Sequence, residues 1–361
     1  NISENSPDIY EGSYKDIFSV LHFNFSIFFK VGSNREVGRP KFPDAALFKA
    51  LILKNLASNS SFRTIEAMLA QDSELAEFLG SKPFSPPSDS VLRCFFARLK
   101  LKEIQAIHSS LLQELRALGY AQGRIIALDS TPIEAHRKKP TKKGAPAKDP
   151  DARWGIAKCK NGWYFGYKAQ VVVDAEDYLP LYVIITPANV SDQKMVKPFL
   201  TPLKKLGYHP RMALLGAGYD SEANHFLLQE ELGCVSLICP NTRRSKKKFT
   251  KKAIKYYKKL LYQTTLDRFL PKQLRKKKYR RCCLVLQDEK EYKKYYHKRI
   301  ASEQQFATLK KDLFLKSHNL IGLQNTQKHV AMKCLCMLVI ALAALRLGVP
   351  EAFRLPKYFQ H

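Results

Sequence analysis

Gly123-Arg124-Ile125-Ile126-Ala127-Leu128-Asp129 is the stretch on which the fold turns. A short apolar run opened by glycine and closed by an acid reads as a buried strand that delivers Asp129 to its end. Two longer runs follow, Tyr164 to Val173 and Leu179 to Thr186, both rich in β-branched and aromatic residues. Asp174-Ala175-Glu176-Asp177 joins them as a hairpin turn. Ser191 can cap a helix to about Leu206, and Met212 to Leu215 is a short buried strand. Ser221 can cap a helix to Leu232, stopped by Gly233, and Val235 to Ile238 is one more strand. Three strands, then helix, strand, helix, strand imply a mixed sheet with helices on its faces.

Upstream of Gly123 the texture is helical. Gly38-Arg39-Pro40-Lys41-Phe42-Pro43 breaks the chain, and Ala45 to Leu56 is apolar over a broad face. Ser60 or Ser61 can cap Phe62 to Gln71, and Ser73 can cap Glu74 to Phe78, with Gly80 as a stop. Pro86-Pro87-Ser88-Asp89 precedes Ser90 to Leu99, a short helix carrying Arg93 and Arg98, and Leu101 to Leu118 is a further helix closed by Gly119. Helix, turn and helix with exposed arginines suit a helix-turn-helix reader of DNA; an all-helical packing module with solvated arginines fits the same residues. Residues 1–37 carry no clear period and stay unassigned. The organisation is therefore a helical region over 38–119 and an α/β body over 120–350, with an insertion at about 241–291.

That insertion holds the densest charge. Arg243 to Arg281 contains eighteen Lys and Arg against one acid, Asp267, with Lys246, Lys247 and Lys248 in a row and Tyr256, Tyr257, Tyr262, Phe269 and Tyr279 interspersed. Basic residues interleaved with aromatics suit a surface that tracks a nucleic-acid backbone; a solvated charge run is the plain alternative. Over the whole chain of 361 residues, 61 Lys and Arg against 32 Asp and Glu give a formal charge of +29, far more than solubility needs. A polyanionic partner, double-stranded DNA first, is the simplest reason. The hydrophobic fraction of 45% is enough for a buried core. None of the eight cysteines falls in a zinc-ligand spacing. Cys282 and Cys283 read as opposite faces of a strand running to Gln287, and Cys334 and Cys336 lie in an apolar helix. Reduced thiols, the lack of a visible leader and an apolar run, Cys334 to Leu345, too short to span a bilayer point to a cytoplasmic, nucleoid-associated protein with no membrane partner.

From Tyr292 the chain reads as one helix through about Leu313. Tyr296, Arg299, Glu303 and Lys310 then fall within roughly 60° of arc at about 100° per residue, so a phenol, a guanidinium, a carboxylate and an ammonium share one stripe. By itself this is an ordinary charged helix face.

Tyr-x2-Arg-x3-Glu-x6-Lys also resembles the signature around the third acid of a large group of insertion-sequence transposases of the Asp-Asp-Glu (DDE) type. Ile125 to Thr131 resembles their first-acid strand. Gly166-Tyr167-Lys168 with the following valines and Asp174 resembles the second strand, and Thr186-Pro187-Ala188-Asn189-Val190-Ser191-Asp192 the turn after the third. Gly218-Tyr219-Asp220-Ser221 resembles the turn after the fourth, and Gly38-Arg39-Pro40-Lys41 with its helices resembles the N-terminal DNA-binding region. The resemblance spans roughly residues 38 to 350 and implies an RNase H-like fold. It implies binding of terminal inverted repeats, phosphodiester hydrolysis at the element's end, and attack of the freed 3′-hydroxyl on target DNA, by proteins acting as homodimers.

Such phosphoryl transfer uses two divalent ions, Mg²⁺ or Mn²⁺, about 3.5–4 Å apart, and carboxylates are the hard ligands these ions prefer. By resemblance, Asp129 would bridge both ions and Glu303 would complete one. Arg299 and Lys310 would hold phosphates, and Tyr296 would bond a phosphate or stack on a displaced base. One position departs from the pattern. Where the family has the second aspartate, before Gly-Tyr-Asp, this chain has Gly216. Asp220, four residues on, is a candidate helix cap and the first candidate to replace the missing acid. Two other classes stay open: a non-catalytic DNA-binding or architectural protein on the same scaffold, which Gly216 favours, and an RNase H-like nuclease acting on hybrids, which the helical N-terminal region argues against.

Overall fold

A computed structural model describes residues 12–29, 42–57, 61–80, 86–136, 147–157, 162–241, 251–252, 255–256, 271–286 and 290–360. Lys246, Lys247 and Lys248 and most of the basic insertion lie outside these. The chain divides into two compact units: residues 112–307 with 318–330, and residues 1–111 with 308–317 and 331–361.

The larger unit is built on a six-stranded sheet: β1 (Ile125–Glu134), β2 (Arg153–Ala157), β3 (Gly162–Asp174), β4 (Pro180–Pro187), β5 (Met212–Leu215) and β6 (Val235–Ile238). The order is β2-β3-β1-β5-β6, with β4 also paired to β3. β3 is antiparallel to β1 and β4, while β5 runs parallel to β1 and β6 parallel to β5. An antiparallel meander extended by two parallel strands is the RNase H-like sheet. Each parallel step carries a helical crossover: α7 (Val196–Lys205) before β5, and α8 (Glu222–Phe226), continued by a π-helical turn over Leu227–Glu231, before β6. α7 buries Val196, Phe199, Leu200 and Leu203, whose spacing makes one apolar stripe. Ser221 caps α8 through its side chain to the Asn224 N–H.

Asp174 fixes the start of the sheet. The carboxylate is fully buried and accepts from the N–H of Gly123 at 2.6 Å, Glu176 at 2.7 Å and Asp177 at 3.1 Å, which holds the β3–β4 turn against the entry to β1. Gly123 has φ +62°, and an added Cβ would lie 2.4 Å from the Tyr208 ring, so no other residue fits there without displacement.

Two expectations need correcting, and one strand was not expected. Cys282 and Cys283 do not sit in a strand but on α9 (Lys272–Leu286), both buried. A segment rich in Lys, Arg, Gln and Leu favours helix over the short Cys-Cys-Leu-Val run that suggested a strand. The helix expected from Tyr292 to Leu313 is two, α10 (Lys290–His297) and α11 (Ile300–Lys311), parted by a turn at residues 298–299. β2 was not foreseen: Gly155 interrupts its short alternation.

The smaller unit holds α1 (Tyr14–Val20), α2 (Asp44–Leu56), α3 (Phe62–Gln71), α4 (Ser73–Phe78), α5 (Asp89–Arg98), the first part of α6 (Leu101–Ala117) and the later part of α12 (Leu323–Leu347), whose Cys336 and Arg346 reach the carbonyls of Ile52 and Val20. Ser61 caps α3, but Asp72 rather than Ser73 caps α4. α12 is long and apolar enough to cross a membrane; here 83% of its apolar window is buried in the protein, as a core helix. Its Lys333 donates to the Asn55 carbonyl at 3.0 Å, and burial pushes that ammonium down to about 8.

Candidate active site

The parallel pairing of β1 with β5 sets Leu128 opposite Leu215, the last pair of that ladder, and it is followed by Asp129 on β1 and by Gly216 just past the end of β5. β1 does not stop at Asp129 as the sequence suggested: Ser130 to Glu134 continue it by pairing with β3. Asp129 meets the helical layer there. Arg299, in the turn between α10 and α11, donates from Nη1 to Asp129 Oδ2 at 2.7 Å, and from Nη2 to Glu303 on the first turn of α11. One guanidinium thus bridges two carboxylates, and Ser302 Oγ lies 3.5 Å from Asp129 Oδ2. The break between the helices makes this possible, because the turn lets Arg299 lean across to β1 while Glu303 stays on the helix.

Tyr296 donates to the Leu215 carbonyl at 3.2 Å, packs parallel to the Tyr292 ring at 5.6 Å, and has the Arg299 guanidinium 5.9 Å from its own ring centre. Arg299 ties the loop to β1, and Tyr296 ties the end of α10 to β5 beside Gly216. Burial pushes the Tyr296 phenol well above its ordinary range. Burial also raises the Asp129 carboxyl, against the pull of Arg299 and with added repulsion from Asp192.

The Asp192 neighbourhood was missed in the sequence. Asp192 Oδ1 accepts from Lys168 Nζ at 3.0 Å and Gln170 Nε2 at 2.8 Å, and the Tyr219 hydroxyl donates to Gln170 Oε1. Gln170 and Lys168 stand on β3 opposite Ser130 and Pro132, next to Asp129 along β1, but the group comes from three separate stretches, and no local pattern joins them.

Asp220 has a structural job. It is 2% exposed, and Arg280 of α9 grips it with two bonds of 2.8 Å, Nε to Oδ1 and Nη2 to Oδ2, while the Asn241 N–H donates to Oδ2 at 2.9 Å. Burial alone would raise this carboxyl; the Arg280 bonds and the Asn241 N–H hold it well below the carboxylate range. Ser221, not Asp220, caps the following helix.

Lys310 lies on α11 seven residues after Glu303, in the stretch that clusters with the smaller unit. In that unit Arg93 pairs with Asp89 at 3.0 Å and Arg98 pairs with Asp44, and both arginines stay more than half exposed.

Asp129 and Glu303 converge on one guanidinium, so their oxygens can also converge on one cation. Among the described residues no group of three or more His, Cys, Asp or Glu side chains could hold a metal ion. The side chains present fit two arms of a DDE metal set; the third arm would come from the position of Gly216. A Cβ built on Gly216 meets nothing within 4 Å, and its φ of −73° suits any residue.

A sheet with this strand order, carrying an acid midway along its central strand and a second acid on a helix joined to it through Arg299, defines an RNase H-like protein. Residues 120–339 match the family described as Transposase DDE domain, and residues 13–98 match Transposase domain (DUF772). The first match alone covers more than half of the chain, which belongs to the DDE transposase family, enzymes that act through divalent metal ions. No curated protein matches the chain. Similar solved structures include a Mos1 transposase paired-end complex with the left transposon end, at 13% identity over 74% of this chain and 82% of that one, TM-score 0.18. A Mos1 mariner paired-end complex with Mn shares 14% identity over 76% and 86%, TM-score 0.20. At such scores the fold assignment rests on the strand order and the family match.

Proposed function

We propose that this chain is an insertion-sequence transposase that binds the terminal inverted repeats of its element and whose cleavage and strand transfer are impaired by Gly216. The observation that carries the reading is that Asp129 and Gly216 directly follow the last β1–β5 pair, Leu128 and Leu215, while Arg299 joins Asp129 to Glu303. Two divalent ions, Mg²⁺ or Mn²⁺, would activate the attacking oxygen and neutralise the leaving one. Asp129 and Glu303 would hold them, and the chain supplies no third carboxylate at position 216.

The remaining groups position DNA. Arg299 now neutralises both carboxylates, and a bound phosphate offers it an anion of equal worth. Its move from acids to phosphate would fix the strand and free the acids together. Tyr296 steadies the β5 end, and Lys310 and the exposed Arg93 and Arg98 are suited to backbone phosphates. Lys246, Lys247 and Lys248 add cationic charge of the same kind. Asp220 is excluded as the replacement acid in this reading, because both its oxygens are engaged by Arg280. Two copies holding two DNA ends, in the cytoplasm and at the nucleoid, complete the picture.

A second reading is favoured by the same glycine: a DNA-binding protein on a transposase scaffold, without nuclease activity. Nicking of duplex DNA carrying the element's ends, with Mg²⁺ or Mn²⁺, separates the two when the chain and its Gly216→Asp variant are compared. Cutting by the variant alone supports an impaired transposase. Equal cutting by both refutes the placement of the second acid. Binding without cutting by either supports the second reading.

A further inference from the structure

β2 and the start of β3 form a two-stranded ribbon in which Trp154 pairs with Phe165 and Ile156 with Trp163. Paired residues share a face and side chains alternate along each strand, so these four lie on one face. Gly155 and Tyr164 take the other, where Tyr164 is buried and a Cβ on Gly155 would meet Ala188 at 2.6 Å. The four-residue face is open: Trp163 is 67% exposed, Ile156 63% and Trp154 39%, with Trp154 and Phe165 in tilted contact at 5.6 Å. Adjacent exposed side chains of this size mark a binding surface.

The charge carried by this part of the sequence selects the partner. Residues 132–168 hold ten Lys and Arg against three acids. Two of those acids are occupied internally: Asp149 accepts from the Tyr167 hydroxyl at 2.5 Å, and Asp151 from the Leu323 N–H at 2.9 Å. Aromatic faces on a chain with a formal charge of +29 suit a polyanion that itself carries flat rings, and an unpaired nucleic-acid strand has both. A second copy of this chain would bring the same positive charge against it.

The register supplies a distance. Val171 stands opposite Asp129, and Phe165 and Trp163 precede it by six and eight residues on the same strand. At about 3.3 Å per residue that is roughly 20–26 Å along the sheet, or about six to eight nucleotides at 3.4 Å each. We propose that the Trp154/Ile156/Trp163/Phe165 ribbon stacks on unpaired bases of the DNA that the Asp129 site engages, about six to eight nucleotides from that site. This rests on the transposase reading.

The chain has two tryptophans, and both are on this ribbon, so selective tryptophan excitation reports on the ribbon alone. The full chain is titrated at low salt with a duplex bearing a single-stranded extension, with a blunt duplex of equal charge, and with the extension made abasic. Stacking predicts quenching by the first DNA and little by the other two. Trp163→Ala should weaken binding of the extended duplex about 5- to 150-fold per lost base contact, while Trp163→Phe keeps most of it. Circular dichroism should show both variants folded, as expected for a side chain 67% exposed.

Equal binding and unchanged emission with all three DNAs overturns the proposal. So does concentration-dependent quenching without DNA that Trp163→Ala abolishes together with self-association in sedimentation, which would make the ribbon a contact between copies. The Gly216→Asp nicking result is independent of these readouts, so failure of the ribbon and failure of the transposase reading are told apart.

Discussion

Replacing Arg280 by Met tests the claim that Asp220 is a structural anchor rather than a spare metal ligand. Arg280 delivers two charge-assisted bonds of 2.8 Å to a carboxylate whose side chain is 1% exposed. Without them the buried charge keeps the Asn241 N–H at 2.9 Å and His225 Nε2 at 3.7 Å. Breaking a buried pair from one side costs about 3–5 kcal/mol. For a body of this size that lowers Tm by about 6–20 °C. The reverse change, Asp220→Asn, should cost clearly less, because the Arg280 side chain is 20% exposed and can rehydrate. The double variant should be more stable than Arg280→Met alone, since the uncompensated charge is gone.

The pH dependence follows in sign. The folded pKa of Asp220 lies below its ordinary value of 3.8, so the pair's contribution is full well above that value and fades as pH falls through and below it. The gap between parent and Arg280→Met should therefore shrink on acidification. Urea or thermal denaturation of the parent and three variants at neutral pH and at a pH below 3.8 measures all of this. A loss below about 1 kcal/mol in Arg280→Met, or a double variant no better than that single one, refutes the anchoring role.

Two further outcomes follow from the packing. Gly123→Ala places a methyl 2.4 Å from the Tyr208 ring at φ +62° and should cost about 1–3 kcal/mol, read as a lowered denaturation midpoint; an unchanged midpoint would show that the β1 entry is loose. Asp174→Ala strips three backbone N–H groups of their acceptor and should cost about 2–4 kcal/mol, with faster amide exchange at Glu176 and Asp177; protection equal to the parent's would show that the turn does not depend on this carboxylate.

The first half of β1, the β3–β4 hairpin and the two short parallel strands were legible because each is a local run of β-branched or apolar residues ended by a breaker; the second half of β1, Ser130 to Glu134, was not, because its polar residues and Pro132 give no strand pattern and only pairing with β3 extends it. Asp129 and the gap at Gly216 were legible for the same reason, since both lie at ends of such runs. Arg280 could not be found this way. Its partner is sixty residues earlier, and within a segment of eighteen cations nothing local distinguishes the one that is buried against an acid. Arg299 was placed on one straight helix with Glu303 as a phosphate contact, whereas the turn at residues 298–299 aims it at Asp129, a contact the helix reading did not contain. Asp192, Lys168 and Gln170 converge only through the β3–β4 pairing, which no single stretch encodes.

The smaller unit is assembled from both ends of the chain, with residues 331–361 providing its central helix. Lys333 reaches the Asn55 carbonyl and Gln360 the Leu56 carbonyl, so α2, which packs earlier on α3 and α5, completes its contacts only after the whole sheet unit has been made. Synthesis at about 5–20 residues per second separates residue 111 from residue 331 by roughly 10–45 s. During that interval the apolar face of α2 is without its core helix. A ribosome-bound chain halted before residue 331 should hold a protease-sensitive N-terminal region beside a sheet unit that already resists, so the helices that come first in the sequence would be the last to acquire their native interior.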